Sequence, residues 1–319
     1  MSEWTSPGGP SPQAGPPPQS DWTTPPSGWG APPPGWDRPY AATAPRPGII
    51  PLRPLGVGEL LDGAFTAMRR YPRATLGLSA MVAAVQQLLG LVVDLATNNI
   101  ATPDSTGLSG VGTVSGVFVY IVNAALGAVL VGMLAIVIGD AVIGRTVALG
   151  DVWRRVRPLL LPLLGAAFLT SVLPVFGLVA LIIGGVILWV ALSFTTPALV
   201  LERLTVRQAL RRSWRLAMPA FWRVLGVRLL AMLIAAVVSA ILSLPGVIAA
   251  ISSVTGNLST GSVHLSVGAE IAVRLSALVA ATVTAPITAG VLALLYIDRR
   301  MRAEALDVAL ARAAETAAE

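Results

Sequence analysis

Uncharged apolar stretches alternate with clusters of arginine along most of this chain, and each stretch is long enough to cross a bilayer as a helix. The run from 158 to 201 carries no charged residue at all. The whole chain is 55% hydrophobic and only 12% charged, which is too few polar groups to cover a water-soluble surface. The sequence therefore predicts an all-α integral membrane protein.

The apolar stretches predict six transmembrane helices. They lie at about 74–93, 114–138, two within 158–201, 229–251 and 275–297. Pro174 and Gly177 mark the expected break in the long run, because proline and glycine interrupt helices. Two crossings there also keep the arginine-rich segments on both sides of the run in one compartment.

The positive charges are distributed very unevenly about these spans. All 22 basic residues are arginine, and Arg274 alone falls on the outer side of the predicted topology. Because positively charged loops stay in the cytoplasm, the pattern predicts a multi-pass protein of the cytoplasmic membrane with both termini cytoplasmic.

Three arginine-bearing segments, which begin at Val57, Leu149 and Val206, are predicted to be amphipathic helices on the membrane surface. In each, a proline follows the arginine cluster, and a Leu-Gly pair then opens a span. The prolines are Pro72, Pro162 and Pro219. This order predicts a threefold internal repeat of one surface helix and two spans.

The segment from 197 to 228 holds the strongest candidate binding site. Four arginines are spaced by four residues and would form one stripe on a helix: Arg203, Arg207, Arg211 and Arg215. Another face would be apolar: Leu210, Trp214, Met218 and Phe221. These arginines could serve only to anchor the helix and fix its topology, with their guanidinium groups reaching the headgroups. The functional alternative is recognition of anionic phospholipid or phosphate, at about 1 kcal/mol per arginine near an anionic leaflet, and binding of a partner protein is the third possibility.

Polar residues inside the predicted spans are few, and a transport path would have to use them. The candidates are Gln86, Asn123 and Thr195. Hydrogen bonding between helices is the structural alternative for all three.

The residue inventory excludes most familiar catalytic and cofactor sites. Without lysine or cysteine the chain has no P-loop lysine, Schiff base, thiol nucleophile or thiolate metal site. His264 is the only histidine, so a paired-histidine metal site is excluded as well. We therefore expect no enzymatic activity, no cofactor, no metal and no nucleic-acid partner.

The two ends of the chain are predicted to lie outside the membrane domain of 51–298. Residues 1–50 are rich in proline, glycine and tryptophan, a composition typical of a disordered tail. Such a tail could bind a polyproline-recognising protein or serve only as a tether. Residues 299–319 are alanine-rich and are predicted to form a cytoplasmic helix.

Three separated stretches resemble a known family in the order in which they occur: PLRPLGVGELLDGAFTAMRRYP, PALVLERLTVRQALRRSWRLAMPAFWRVLG and LLYIDRRMRAEALDVAL. They are similar to the signatures of bacterial proteins with the glycerophosphoryl diester phosphodiesterase membrane domain; Ala305 stands where that signature has glycine. No HRG motif of the family's catalytic barrel occurs. The resemblance implies a stand-alone membrane module of a bacterial cytoplasmic membrane, without the barrel.

The leading functional hypothesis is a non-enzymatic module that organises anionic lipid or partner proteins at the inner leaflet. The alternative is a transporter or lipid-handling permease. The polar residues in the spans and the predicted repeat favour this alternative. The sequence does not specify an oligomeric state.

Overall fold

The computed structural model of the protein describes residues 48–51, 53–98, 110–145, 147–180, 182–257 and 265–304. Helices and the turns between them make up these residues, and none of them forms a strand. The prediction of an all-α membrane protein is confirmed. Residues 1–47 of the predicted Pro-rich tail, His264 and the part of the predicted C-terminal helix after residue 304 fall outside the described residues. The last three residues of the predicted tail, 48–50, are described, and Ile50 is buried in the core.

Ten α-helices follow one another along the described chain. They are α1 (Val57–Arg70), α2 (Pro72–Asn98), α3 (Gly110–Val142), α4 (Leu149–Val156), α5 (Leu160–Ala180), α6 (Ile182–Ala191), α7 (Thr195–Leu201), α8 (Val206–Ala217), α9 (Phe221–Asn257) and α10 (Val267–Glu304). Six helical segments are long and apolar enough to cross a membrane, as predicted. They are centred on α2, α3, α5, α6 with α7, α9 and α10.

A short amphipathic helix precedes each pair of apolar helices, and a turn separates it from the first of the pair. Tyr71 separates α1 from α2, and the 3₁₀ turns Arg157–Leu159 and Met218–Ala220 follow α4 and α8. The second break therefore falls at Pro158 and not at Pro162, which lies in the first turn of α5, where proline is tolerated. This order is the one that a threefold repeat requires, and the repeat itself stays a prediction.

The run from 158 to 201 contributes two candidate spans, as predicted, but the division between them falls after Gly177 and not at Pro174 and Gly177. Helix α5 continues through Pro174 and Gly177 to Ala180, and α6 begins at Ile182. The backbones of the two helices approach closely at Gly177, since a Cβ atom there would lie 3.0 Å from the backbone nitrogen of Gly185. The glycine therefore permits close packing instead of breaking the helix.

Helix α6 stops at Ala191 and the chain resumes as α7 at Thr195. Pro197 lies in the first turn of α7, where a proline ring is tolerated because the missing N–H has no partner within the helix. The interruption frees the backbone N–H of Phe194, which donates to the hydroxyl of Ser213 on α8 across 2.9 Å. The break thereby gives α8 an attachment point on the bundle.

Ion pairs connect the helices at two opposite ends of the bundle. Arg223 near the start of α9 pairs with Asp298 near the end of α10, whereas Arg274 near the start of α10 pairs with Asp94 near the end of α2. We call the first the basic end, because among the described arginines Arg274 alone lies at the other end. The basic end also holds most of the fully buried large side chains, including Leu134, Phe194 and Tyr296.

The spans differ in how much of their surface the protein itself covers. About half of the apolar segments of α10 and of α6 with α7 is buried, at 50% and 56%, against 22% for α9. Large exposed apolar side chains such as Leu88, Phe118 and Ile248 lie mainly toward the opposite end. In a bilayer these side chains contact lipid, so the bundle is held together mainly at its basic end.

The last two spans begin earlier than the hydropathy pattern predicts. Helix α9 starts at Phe221 instead of Leu229, and α10 starts at Val267 instead of Leu275. With 37 and 38 residues, each is about 55 Å long, well beyond the roughly 30 Å hydrocarbon core. Arg228 therefore lies inside α9, two turns from its start.

Candidate anion-binding face at the basic end

Helix α8 is fixed to the bundle through a face of small residues. Ala209, Ser213, Leu216 and Ala217 are its buried members. The Ser213 hydroxyl donates to the carbonyl of Ala191, 2.6 Å away, and accepts from the Phe194 N–H. Trp214, a member of the predicted apolar face, is 45% exposed and is therefore not part of the contact with α6 and α7, which small side chains make.

The predicted stripe of four arginines is one member shorter. Thr205 precedes the first residue of α8, and its N–H donates to the Gln208 amide oxygen across 3.0 Å. Arg203 therefore lies in the turn before the helix, with a positive φ of 51°. Arg207, Arg211 and Arg215 lie on α8 and are all exposed; we call these three the α8 arginine row.

The α8 arginine row forms no ion pair with any described carboxylate. None of those carboxylates lies within 4.0 Å of its three guanidinium groups. Like charges three and four residues apart on a helix repel one another. The row is therefore an exposed surface of uncompensated positive charge, with the exposed indoles of Trp214 and Trp222 nearby in the sequence.

The nearest carboxylates are engaged by Arg212, a residue that the sequence analysis did not single out. Its guanidinium lies 3.0 Å from Glu202, and it also pairs with Glu304 at the end of α10. Arg300 contacts the same two carboxylates at 3.3 and 3.2 Å, and the Tyr296 hydroxyl donates to Glu202. We call these five residues the Glu202 cluster. Its carboxylates are held by Arg212 and Arg300, which leaves the α8 arginine row without counter-ions.

A second buried cluster surrounds Asp298, which is fully shielded from solvent. Its carboxylate accepts hydrogen bonds from the Leu55 N–H at 2.8 Å, from Arg223 at 3.0 Å and from Arg302 at 3.0 Å. Both arginines also donate to the Leu55 carbonyl, at 2.7 and 2.9 Å. Both oxygens of the Asp298 carboxylate are therefore engaged, and the Nε of Arg223 is the one buried side-chain nitrogen of this described cluster without a partner. The cluster joins the segment before α1 to α9 and α10, which is a structural role.

Of the three residues of the predicted polar path, Gln86 and Asn123 are in contact, whereas the Thr195 hydroxyl bonds within its own turn. The Gln86 side chain donates to the backbone carbonyl of Asn123 across 3.2 Å, which links α2 to α3. The Thr195 hydroxyl is buried and donates to the Leu192 carbonyl, 2.7 Å away, within its own turn. In the described geometry these groups serve helix packing and local turn structure.

Arg228 is a charged residue within α9, and a cavity lies beside it. Its guanidinium carbon lies 3.6 Å from the centre of the Trp189 ring, and it donates to the Trp189 carbonyl across 2.7 Å. A cavity of about 210 Å³ adjoins it and is also lined by Met232 and Thr288. The sequence analysis placed Arg228 outside the fifth span, because the uncharged run begins only at residue 229.

Comparison with known proteins identifies no relative: no protein-family model, no curated protein and no solved structure matches the chain. The resemblance to the glycerophosphoryl diester phosphodiesterase membrane domain therefore stays a prediction. No group of three or more acidic or histidine side chains in the described ranges could hold a metal ion. The chemistry of the basic end is that of guanidinium groups, which bind phosphate and carboxylate anions.

Proposed function

We propose that the protein is a non-enzymatic membrane module that gathers anionic phospholipid at the basic end of its helix bundle. The carrying observation is the α8 arginine row, whose three exposed guanidinium groups have no carboxylate within 4.0 Å among the described residues. Phospholipid phosphates are the anions available in quantity at a membrane surface, and they attract each arginine by about 1 kcal/mol.

The way α8 is held supports this function. Ser213 fixes the helix to the ends of α6 and α7, so the row cannot turn toward the bundle to find other partners. Trp214 and Trp222 are exposed beside it, and tryptophan is enriched at the level of lipid headgroups. A row of fixed charges at this level favours binding of several headgroups at once.

The test is lipid retention by the full-length protein, measured by native mass spectrometry after extraction in detergent. Replacing Arg207, Arg211 and Arg215 with glutamine should weaken retention of phosphatidylglycerol roughly a hundredfold, from about 1 kcal/mol lost per arginine. The matched control replaces Arg69, Arg70 and Arg73, three exposed arginines at the same end that pair with no described carboxylate. Equal losses in both triple variants would mean that net charge alone attracts lipid, and unchanged retention would refute the proposal.

We infer that the basic end faces the cytoplasm, because positively charged segments stay on that side of the membrane. The chain contains no cysteine, so single cysteines can be introduced without background. In intact cells, a cysteine at Gln208 should resist a membrane-impermeant maleimide, while one at Ser266, near Arg274, should react. The reverse pattern would place the α8 arginine row at the outer leaflet and contradict an inner-leaflet role.

A second candidate function, passage of an anion through the bundle, is favoured by Arg228 alone. A guanidinium inside a span next to a cavity is a common feature of substrate paths, and no described carboxylate lies within 4.0 Å of it. Liposomes loaded with inorganic phosphate or chloride test this function directly. An efflux that requires the protein and is abolished by Arg228→Gln would support a permease, and absence of efflux would exclude passage of these anions.

A further inference from the structure

A separate cleft opens at the basic end between the ends of α3, α4, α7 and α10. It has a volume of about 460 Å³. Its polar lining consists of four arginines and one carboxylate: Arg145, Arg155, Arg203, Arg300 and Asp140. The α8 arginine row does not line it, so the two features can be tested independently.

Positive charge is in excess in this cleft. Arg155 pairs with Asp140 across 3.0 Å, and Arg300 is shared between Glu202 and Glu304 of the Glu202 cluster. Arg145 and Arg203 have no carboxylate within 4.0 Å among the described residues. Two guanidinium groups therefore face the cleft with no counter-ion from the described chain.

Two helix-ending turns of the same type carry these two arginines into the cleft. After α3, Gly144 adopts a φ of 73°, its N–H donates to the Ala141 carbonyl, and the Arg145 N–H donates five residues back to Asp140. After α7, the Leu204 N–H likewise donates five residues back, to Leu199, across 3.2 Å. This is the Schellman pattern, in which the residue with positive φ is usually glycine.

The second turn has an arginine where the first has a glycine. Arg203 holds a φ of 51° and is the only described residue other than glycine with a positive φ. A side chain at this position makes the turn less favourable than glycine would, so backbone geometry gives no reason for arginine here. The feature that arginine adds at this position is its guanidinium group, and we take the unfavourable backbone conformation as an indication that this group binds a ligand in the cleft.

The remaining walls of the cleft are apolar. Val142, Val200 and Ile297 are buried or nearly so and form part of its lining, and the Leu159 and Leu201 side chains complete it on either side. A ligand that fits must combine an anionic group for Arg145 and Arg203 with an apolar chain for these walls. The phosphate group of a glycerophospholipid, with the first carbons of its acyl chains, has this chemistry.

We propose that the cleft binds the phosphate group of one anionic glycerophospholipid between Arg145 and Arg203. The inference rests on the proposed function, because it assigns one discrete site to the lipid class that the α8 arginine row gathers. It goes further in predicting saturable binding of a single lipid per chain, with the acyl chains in contact with protein.

Binding of dioctanoyl-phosphatidylglycerol to the full-length protein in detergent tests the proposal, measured by native mass spectrometry and by the shift in unfolding temperature. The variant Arg203→Gly introduces the residue that is most favourable at the positive φ of this turn. Its unfolding temperature without lipid should therefore equal or exceed that of the wild type. Its lipid affinity should fall about tenfold. Arg69→Gln removes the same charge from α1 and should leave this affinity unchanged.

Equal binding of the lipid by the wild type and by Arg203→Gly would overturn the assignment of the site to the cleft. Binding of glycerol 3-phosphate or inorganic phosphate as tight as that of the lipid overturns the role of the apolar walls and identifies a soluble phosphate as the ligand. Loss of the single saturable lipid only in the Arg207, Arg211 and Arg215 variant overturns the cleft and leaves the proposed function standing. Loss in Arg203→Gly alone supports the cleft, whatever that triple variant does in the retention assay.

Discussion

The guanidinium group of Arg223 lies 3.0 Å from a carboxylate oxygen of Asp298, and that carboxylate is completely inaccessible to solvent. Arg302 and the Leu55 N–H complete the hydrogen bonding of the carboxylate. Removing one member of such a buried set leaves the others without partners, which costs more than the set gains by forming. The contact therefore predicts strong sensitivity to substitution at a position with no role in ligand binding.

Asp298→Ala should lower the free energy of unfolding by about 3 kcal/mol, because Arg223 and Arg302 are left facing each other beside the Leu55 carbonyl. Denaturation of the detergent-solubilised protein by SDS measures this change. Asp151→Ala is the matched control, since its pair with Arg154 is largely exposed and contributes less than about 1 kcal/mol. A similar effect of both substitutions would show that Asp298 is not the buried centre described above.

Gly246→Ala should destabilise the contact between α9 and α10. A Cβ atom at Gly246 would lie 2.8 Å from the Cα of Val273 and would also overlap the Ser276 hydroxyl, so the two backbones must move apart. Overpacking of this kind costs about 1–3 kcal/mol. Gly226→Ala, in the same helix, meets nothing within 4 Å and should leave stability unchanged or slightly raised. Equal unfolding midpoints for the two variants would contradict the close contact.

Ser213→Ala should loosen α8 from the bundle. The substitution leaves the buried Phe194 N–H without its acceptor and the Ala191 carbonyl without its donor, a loss of about 1–3 kcal/mol. Ser252→Ala removes a hydroxyl that is exposed and bonds only within its own helix, so its effect should be within about 0.5 kcal/mol. Thermal unfolding followed by circular dichroism distinguishes the two, and a Ser213→Ala protein as stable as the wild type would refute the anchoring role.

Arg212→Gln and Arg207→Gln should separate a structural arginine from a lipid-binding one on the same helix. Loss of Arg212 leaves Glu202 and Glu304 close together with only Arg300 between them, and we expect a loss of about 2 kcal/mol in stability. Arg207 has no described partner, so its replacement should change stability by less than about 0.5 kcal/mol while weakening lipid retention. The opposite pattern in paired unfolding and retention measurements would exchange the two roles.

The transmembrane helices could be predicted from the sequence because hydropathy is a property of consecutive residues. The uneven distribution of arginine is equally local, and it correctly set Arg274 apart from the rest. The position of the second break was not predictable, since Pro158 and Pro162 lie one turn apart and a helix accepts proline in its first turn. Either proline fits the order of arginine cluster, proline and span, and the packing of the helices determines at which of the two the break falls.

The Glu202 cluster could not be predicted from the sequence, because its members are far apart along the chain. Arg212 and Glu304 are 92 positions apart, so no window along the chain brings them together. Spacing by four selected Arg207, Arg211 and Arg215 correctly but also included Arg203, because a row of equal spacings does not reveal where a helix begins. The φ of 51° at Arg203 is set by the turn after α7. The position of that turn depends on Pro197 and on packing of α7 against α8.

The bond between the Leu55 N–H and Asp298 joins positions 243 residues apart, with all six membrane crossings between them. At 5–20 residues per second, a ribosome needs roughly 10 to 50 s to make that length of chain. During this interval α1 has already been synthesised but lacks the carboxylate that fastens the segment before it. Bundle closure therefore has to wait for the final helix to be inserted, and a nascent chain stalled before residue 298 should leave its first helix accessible to proteases and chaperones.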